Sequence, residues 1–567
     1  MDGVTGEKLN GTQIVGDTGN NTTLFPAIED IDNDGKVEMI VKSGNVYEWH
    51  IEKDLDGKIT SQSWIQEYNV LSGQGAFWLK AIGDFGTVGE TPADFDWNKL
   101  DGIAEIVSTT GNESTTGQVG IHALHVKKNE DGTETKTVQR VLYMDKRFGG
   151  GAPTVGDFDG DTLPEVGIAF GDYYAVIDPR CKKDTNGVLP QGCAEENILW
   201  KQPNTDNSSY TTGSSVFDFD ADGIIEVVYA DECYTRIYNG KTGDVLFSAR
   251  QSSRTAFEMP TIADVDNDES AEILMGANRT DRTCPKIDTI HRGIRCQHDD
   301  DCTSRQCEDG FCRCSNDNEC NWRKGADGKI KNEYVCIEPL EADKAVNSAK
   351  VCRAQRPQNQ PFQGLRIMRD RYDRWASSRN IWNQFAYSIQ NINDDMSIPQ
   401  TSQWIANFLT KGLNNYRANS QGKIGMNAAP DITGKLNKDN LCGRDENSNK
   451  ITLTGVICNR GTKMVASKMP ASFYEVLEDG SNGQKFCTAY TEANVPVGDC
   501  LAVSCTLDDI PVGIRVRMIS NDDGEGGRTT VECNDHNNTD EVMLEACQAI
   551  RATAFTFFFE IAHQAWQ

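Results

Sequence analysis

Residues 218–226 read DFDADGIIE, with acids at positions 1, 3, 5 and 9 (Asp218, Asp220, Asp222 and Glu226). The same spacing returns in DIDNDGKVE (residues 30–38), DFDGDTLPE (157–165) and DVDNDESAE (264–272). Such self-similarity is typical of proteins built from repeated structural units. The repeat therefore limits the possible folds more strongly than any other feature of the sequence.

Each acidic stretch lies between short apolar runs. Pro260–Ala263 precedes one copy; another copy is followed by Glu226–Ala230, Thr235–Tyr238, the turn 239–243 and Val245–Ser248. Apolar and β-branched runs separated by Gly, Asn and Asp predict strands and turns. Four short strands per unit, repeated about every 45 to 65 residues, are the layout of propeller blades. We therefore predict an all-β fold with a six- or seven-bladed β-propeller.

A further copy of the repeat is split by an insertion. Its acids fall into two groups, with Asp84, Asp94 and Asp96 before the insertion and Asp101 and Glu105 after it. We expect this copy to bind a cation less reliably than the four complete ones.

A weakened sixth copy lies at residues 386–395, where Asn391 and Asn393 replace acids. We predict that it binds no metal. Residues 2–9 resemble residues 239–246, which end a complete unit. We therefore expect the N-terminal strand to complete the blade that residues 386–395 begin, which would close the ring without an exposed sheet edge.

Acids at alternate positions of a tight loop suit calcium, which takes about six to eight oxygen ligands in a flexible cage. An EF-hand is excluded, because its loop needs Glu at position 12, where this sequence has Val41, Ile168, Tyr229 and Met275. Solvated turn acids and magnesium, which keeps more waters, are the alternatives. We predict four calcium sites and a possible fifth, counting the carbonyl at position 7 as a ligand. The predicted ligands are Asp30, Asp32, Asp34, Lys36 and Glu38; Asp94, Asp96, Asp101 and Glu105; Asp157, Asp159, Asp161, Leu163 and Glu165; Asp218, Asp220, Asp222, Ile224 and Glu226; and Asp264, Asp266, Asp268, Ser270 and Glu272.

These loops resemble the FG-GAP/VCBS repeats of integrin alpha subunits and of secreted bacterial propellers, over about residues 1–425. Residues 373–384 look like the terminal blade of some bacterial members. Further on, Gly455–Gly461 and Glu532-Cys533-Asn534 are similar to the CARDB type of cell-adhesion-related domain. The resemblance implies an extracellular, calcium-supported scaffold used in adhesion or surface assembly, and it does not fix a ligand.

Composition supports a secreted protein. The net charge of −29 disfavours nucleic acid and anionic membranes as partners, and no apolar run reaches the roughly 18 residues of a membrane span. Nineteen cysteines without a CxxC pair indicate disulfides in an oxidising compartment. The N-terminus, Met1–Gly6, does not begin a signal peptide, because no basic region or apolar run follows the Met. We therefore expect a mature or truncated chain.

The cysteines predict specific pairings. Cys181 and Cys193 flank one loop and are expected to bond to each other. Residues 279–363 interrupt the fifth repeat with nine cysteines in a loosely EGF-like segment, so Cys233 in the matching loop of the preceding blade should pair with one of them, giving five bonds. Of the seven cysteines further on, one is left over.

The predicted domains are a propeller in two parts (1–278 and 364–430), the cysteine-rich insert (279–363), an Ig-like β-sandwich (431–547) and a tail (548–567). The predicted function is an extracellular calcium-stabilised scaffold for adhesion or for building a cell-surface assembly, with a protein or glycan partner or with copies of itself. We predict no enzyme activity, because no GxSxG, HExxH or P-loop spacing is present. The alternative is a calcium-dependent carbohydrate-active protein, a lectin or a polysaccharide lyase.

Overall fold

A computed structural model describes residues 25–550 of the chain. The residues within that range that it leaves out are 42–43, 54–58, 70–78, 111–116, 130, 132–133, 147–149, 207, 254–256, 268–269, 279–283, 297–298, 322–330, 357–362, 371–374, 400–403, 411, 422–429, 437–441, 446–449, 462–464, 466, 497, 509–512, 526, 531, 533–535 and 545–547. The chain forms two compact units. The first comprises the residues up to Ala263, Glu272–Met368 and Arg379–Ser420; the second comprises Asp264–Ala271, Arg369–Ser378 and the residues from Gln421 onward.

The first unit is built from antiparallel sheets in which neighbouring strands follow one another along the chain. Four sheets of this unit have four described strands each. Their strands are β1 (Ala27–Glu29), β2 (Glu38–Ile40), β3 (Asn45–Lys53) and β4 (Ile59–Asn69); β5 (Leu79–Gly83), β6 (Glu105–Thr110), β7 (Gly117–Lys128) and β8 (Glu134–Lys146); β9 (Thr154–Gly156), β10 (Glu165–Ala169), β11 (Tyr173–Ile177) and β12 (Trp200–Pro203); β13 (Ser214–Phe217), β14 (Glu226–Ala230), β15 (Tyr234–Tyr238) and β16 (Val245–Arg250). The all-β prediction is therefore confirmed.

A fifth sheet and a disulfide-rich insert share the next segment. The sheet has three described strands, β17 (Thr261–Ala263), β18 (Glu272–Ala277) and, beyond the insert, β23 (Gly364–Met368). The insert holds two hairpins and a short helix: β19 (Cys307–Glu308), β20 (Phe311–Cys312), β21 (Tyr334–Ile337), α1 (Glu341–Lys344) and β22 (Val351–Ala354).

The first strands of the five sheets lie side by side, β1 beside β5, β5 beside β9, β9 beside β13 and β13 beside β17. Their apolar side chains, such as Ala27, Ala81 and Val155, are completely buried. Each predicted acidic loop of this unit connects the first strand of a sheet to its second. The repeat in the sequence therefore corresponds to a repeat in the structure.

Residues 386–395, predicted to begin a sixth blade with a strand, differ from that expectation. Ile389–Asn391 is a 3-10 helix, and the segment contacts β1 through side chains: the Asn391 amide donates to the Ile28 carbonyl at 3.0 Å. Asn and Asp favour turns because their side chains compete with the backbone ladder. The other described 3-10 helices are Pro92–Asp94, Asp299–Asp301, Asp317–Cys320 and Asn407–Leu409.

The predicted disulfides of the first unit are confirmed. Cys181 bonds to Cys193, and Cys233 bonds to Cys284 of the insert. Four further bonds complete the predicted five that involve the insert: Cys296–Cys307, Cys302–Cys312, Cys314–Cys336 and Cys320–Cys352.

A buried ionic network also holds the insert to the fourth sheet. The Arg236 guanidinium on β15 contacts Asp288 of the insert, with Nε 2.8 Å from Oδ2, and Asp231, with Nη1 2.6 Å from Oδ2. Ser248 Oγ on β16 also donates to Asp288 Oδ2 at 2.6 Å. Arg236 lowers the pKa of Asp288 to about 2 against the opposing effect of burial. The insert is thus fixed to its neighbouring sheet by both a covalent bond and charge.

The second unit contains a sandwich of two sheets around one core. One sheet has β24 (Ile432–Leu436), β25 (Cys442–Asp445), β26 (Ile451–Asn459), β29 (Cys500–Leu507) and β32 (Gln548–Ile550), and the other has β27 (Pro470–Val476), β28 (Asn482–Tyr490), β30 (Ile514–Ser520) and β31 (Thr539–Leu544). Ile457 and Phe473, from opposite sheets, share the core. The strand 548–550 pairs with β25, so this sheet continues beyond the predicted end of the sandwich at 547.

Cys458–Cys500 joins neighbouring strands of one sheet, and Cys487–Cys505 joins the two sheets. No helix among the described residues is long and apolar enough to cross a membrane.

We expect acid to destabilise the fold of the insert itself through His291, because the hydrogen-bond partner of this imidazole, Ala354, also belongs to the insert. This imidazole is 1% exposed, and its Nδ1 accepts a hydrogen bond from the Ala354 backbone N–H at 2.8 Å, which requires the neutral ring. Burial lowers the pKa of His291 to about 4 from an unfolded value near 6.5. The neutral His291 ring therefore contributes at most about 3 kcal/mol to the free energy of unfolding. This contribution is complete above pH ~6.5 and is lost as the pH falls through ~4.

Thermal unfolding between pH 7 and pH 4 measures this effect. His291→Asn keeps an acceptor without the titration and should flatten the profile relative to the unmodified protein. His536→Asn, at an exposed position, is the control and should leave the profile unchanged. Identical profiles for His291→Asn and the unmodified protein would contradict the assignment.

Candidate metal centres

The loop 218–226 wraps its backbone around its first carboxylate. Asp218 accepts the backbone N–H groups of Asp222 and Gly223, each at 3.1 Å. Asp222 in turn accepts the N–H of Ile224 at 2.8 Å. The same bonds form in loop 30–38, where Asp30 accepts from Asp34 and Gly35. Backbone donors thus hold position 1 and position 5 in place.

Left-handed backbone at positions 4 and 6 makes this tight turn possible. Position 4 has φ 56° at Asn33 and Ala221, and position 6 has φ 83° at Gly35 and 89° at Gly223. Asn and Gly adopt this conformation at low cost, which explains why they recur in the motif. Ala221 at position 4 and Thr162 at position 6, the latter with φ 75°, adopt the left-handed conformation although neither Ala nor Thr favours it.

The glutamate at position 9 is buried at the start of the second strand. Its Oε2 accepts the backbone N–H of the residue at position 2: Ile31 donates to Glu38 at 2.7 Å, and Phe219 donates to Glu226 at 2.9 Å. Phe158 donates to Glu165 in the same way, at 2.8 Å. One oxygen of each of these glutamates therefore closes the loop. The other oxygen contacts Arg180 at Glu165 and accepts no hydrogen bond at Glu38.

In loop 30–38 the available oxygens are buried together. Asp30, Asp32 and Glu38 each offer a carboxylate oxygen, and these oxygens lie within 4.8 Å of one another. Glu38 Oε1 and Asp32 Oδ1 are inaccessible to solvent and accept no hydrogen bond. Buried acceptors without a partner are unfavourable, and a cation bound between them would satisfy both.

Burial, with repulsion between the carboxylates as a further cause, raises the pKa values of these acids. Burial, followed by repulsion from Asp32, raises the pKa of Glu38 to about 9. Burial raises the pKa of Asp218 to about 6 and that of Glu226 well above its usual range. Without a cation, these loops keep protons near neutral pH that metal binding would displace.

The split copy uses a different first residue from the one that we predicted. Asp84 Oδ2 accepts the Gly102 N–H at 2.8 Å, and Asp101 accepts from Ile103 at 2.9 Å, so these acids occupy positions 1 and 5. Phe85 N–H donates to Glu105 at 2.7 Å. The insertion therefore falls between positions 1 and 5.

Asp94 and Asp96 serve local turns inside this insertion. Asp94 accepts from the Thr91 hydroxyl at 2.7 Å, and Asp96 accepts from the Asn98 N–H at 3.1 Å. The acids that raise the pKa of Glu105 are Asp84 and Asp101. The pair Asp84-Phe85, which repeats Asp157-Phe158 and Asp218-Phe219, is the sequence signal that identifies the correct residue.

Basic side chains contact acids in three of the loops, including Arg369 at Asp266. Lys136 Nζ lies 2.6 Å from Asp32 in the first loop. Arg180 contacts both Glu165 and Asp161 in loop 157–165. In loop 218–226, burial and repulsion from Asp220, Asp218 and Asp222 raise the pKa of Glu226.

The loop 264–272 is divided between the two units. Asp264, Asp266 and Ser270 belong to the second unit and Glu272 to the first, while Asp268 lies outside the described residues. Asp266 pairs with Arg369 at 3.2 Å. Ser270 Oγ donates to the Trp375 carbonyl at 3.2 Å.

Comparison with known proteins gives little further guidance. No family model matches the sequence, and no curated protein matches it. Among solved structures, the chain is similar to one described as the V. cholerae biofilm matrix protein Bap1, with 14% identity over 70% of this chain and 85% of that chain and a TM-score of 0.26. Similarity at this level supports no argument about fold or function.

We expect Asp220→Asn to remove one bound calcium ion per chain. Asp220 is the position 3 acid of loop 218–226 and a predicted ligand, so the change removes one charged oxygen donor from the site. A site in a hundredfold excess of calcium over its Kd adds about 2.7 kcal/mol to the free energy of unfolding. The melting temperature of Asp220→Asn in calcium should therefore be lower than that of the unmodified protein.

Elemental analysis after gel filtration, together with thermal unfolding, measures both effects. Asp479→Asn is the matched control, because Asp479 is a turn acid that accepts the Ser481 N–H at 3.0 Å outside any repeat. An unchanged calcium content in Asp220→Asn would show that this loop is not a metal site.

Proposed function

We propose that this chain is an extracellular, calcium-stabilised scaffold of the FG-GAP/VCBS propeller type that takes part in adhesion or in an extracellular assembly. The observation that carries the proposal is the repeated loop in which backbone N–H groups hold the acids and a buried glutamate is left with a free oxygen, as at Glu38 Oε1. That arrangement suits a hard cation with oxygen ligands.

The sheet arrangement supports a propeller. Five consecutive antiparallel meanders place their first strands side by side, as the blades of a propeller do around an axis. We propose that residues 386–421 complete the ring. The sandwich that follows fits a CARDB-like module by the motifs in residues 455–461 and 532–534.

The disulfides support an extracellular location. Eight bonds join described cysteines, and five of them involve the insert. Such a density is typical of oxidising compartments. It also suits a scaffold that must keep its shape outside the cell.

We propose a binding role rather than catalysis. Calcium surrounded by the acids of one turn has its coordination positions filled by the protein, whereas activation of water needs an open position. The insert, fixed to the fourth sheet by Cys233–Cys284 and Arg236–Asp288, forms a rigid platform for a macromolecular partner.

The calcium part of the proposal predicts that EDTA destabilises the protein more as the pH rises. In the metal-free protein the raised pKa values of Asp218, about 6, and Glu38, about 9, mean that folding favours the protonated acids. Their stabilising contribution is complete below pH ~4 and is lost as the pH rises through those values. The melting temperature in EDTA should therefore fall from pH 5 to pH 9, while in calcium it should not. A melting temperature unaffected by EDTA at pH 9 would refute calcium stabilisation.

The binding part predicts association without turnover. In calcium, the purified chain should bind cells, matrix glycans or copies of itself, as seen by sedimentation and electron microscopy. Acidic polysaccharides should give no rise in the absorbance of unsaturated products. Calcium-dependent product formation that is lost on mutating one basic residue would establish a lyase instead.

A further inference from the structure

The fully buried guanidinium of Arg417 carries a positive charge for which the described chain provides no carboxylate. Arg417 is 0% exposed and lies in the segment that crosses the first strands, where Tyr416 bridges to Val155 and Ala418 to Val216. It lies within the first unit.

Three backbone carbonyls receive most of its hydrogen bonds. Arg417 Nη1 donates to Lys80 O at 2.8 Å and to Pro153 O at 2.6 Å, and Nε donates to Phe385 O at 3.2 Å. The Phe385 and Tyr416 rings lie 5.2 Å from Cζ. These dipoles and rings orient the guanidinium, but none of them carries a negative charge.

The remaining nitrogen has no acceptor. Arg417 Nη2 is buried and makes no hydrogen bond. The buried acid Glu29, on the adjacent β1, is bound elsewhere, by Ser388 Oγ at 2.8 Å and Trp404 Nε1 at 3.3 Å. Among the described residues, Arg417 therefore forms no ion pair with an acid. Burying an unpaired charge is costly, so buried charges normally have a counter-ion.

The backbone at Arg417 indicates that the position is constrained. Its φ of 56° is in the left-handed region, which is uncommon for a long side chain. The surrounding chain fixes it, because Arg417 N donates to Tyr387 O and Arg417 O accepts from Val216 N. Strain of this kind is retained where the surrounding structure requires one orientation of the side chain.

We propose that Arg417 Nη2 binds one small monovalent anion, chloride under saline conditions. A single positive charge matches a single negative one, and one unpartnered nitrogen supplies too few donors for oxyanions and organic carboxylates that need several. The site is independent of the calcium loops, because its ligand atom is a nitrogen donor.

The test uses the full chain in saturating calcium. Sodium gluconate is replaced stepwise by sodium chloride at constant ionic strength, and the melting temperature is recorded. We expect a saturable rise of several degrees in the unmodified protein and none in Arg417→Met. Arg517→Met removes a guanidinium that pairs with Glu541 and should keep the response to chloride. Equal responses to chloride and gluconate in the unmodified protein would overturn the proposal.

A second measurement does not depend on the variant being folded. Crystals of the unmodified protein grown in sodium bromide should show an anomalous peak within hydrogen-bonding distance of Arg417 Nη2. An ordered water there without anomalous signal, or a carboxylate of the chain in that place, would equally overturn it.

Discussion

Repulsion among the loop carboxylates is the constraint on which the first unit depends, because each loop connects the two strands that start a sheet. The glutamate at position 9 is paired directly with the last residue of the first strand, Glu29 with Glu38 and Phe217 with Glu226. Its hydrogen bond to position 2 fixes the register of the sheet at that point. Any charge that relieves the repulsion therefore also stabilises strand pairing.

The loops relieve this repulsion in different ways. Lys136 extends from the second sheet to Asp32 in the loop of the first, so one sheet supplies a cation to its neighbour. In the third sheet the cation comes from the same sheet, because Arg180, which follows β11, contacts Glu165 at the start of β10. In loop 218–226, backbone N–H groups donate to the acids, as they do in loop 30–38. The two loops therefore share these backbone hydrogen bonds, while the charged groups beside the loops differ.

Much of the first unit could be predicted from spacing alone. Apolar runs predicted the strands that follow Asp222. The position of Cys181 and Cys193 at the two ends of one loop predicted their bond, and the matching of loops between neighbouring units predicted the bond from Cys233 to the insert. The predicted ligands of the split copy omit Asp84, which accepts the backbone hydrogen bond of position 1. Asp94 and Asp96 keep the one-residue spacing of the motif, whereas the insertion separates Asp84 from its partners. Spacing along the chain does not reveal which acid an insertion has displaced.

Other features depend on contacts that no local pattern encodes. Arg417 is buried because residues 416–418 cross several strands, and its neighbours Lys80, Pro153 and Phe385 are far away in the sequence. Residues 389–391 resemble the start of a repeat, yet Asn391 uses its side chain in place of a backbone ladder. Tertiary contacts override the repeat pattern at both places.

The insert has a consequence for the order of folding. β18 and β23 are adjacent in the fifth sheet, with Ala277 paired to Gly364, although the whole insert separates them in the chain. Closing so long a loop costs conformational entropy, and a collapsed, cross-linked insert brings its two ends together beforehand. We therefore expect oxidation of the insert to favour pairing of these two strands, so that the disulfides of the insert and the fifth sheet form as linked steps.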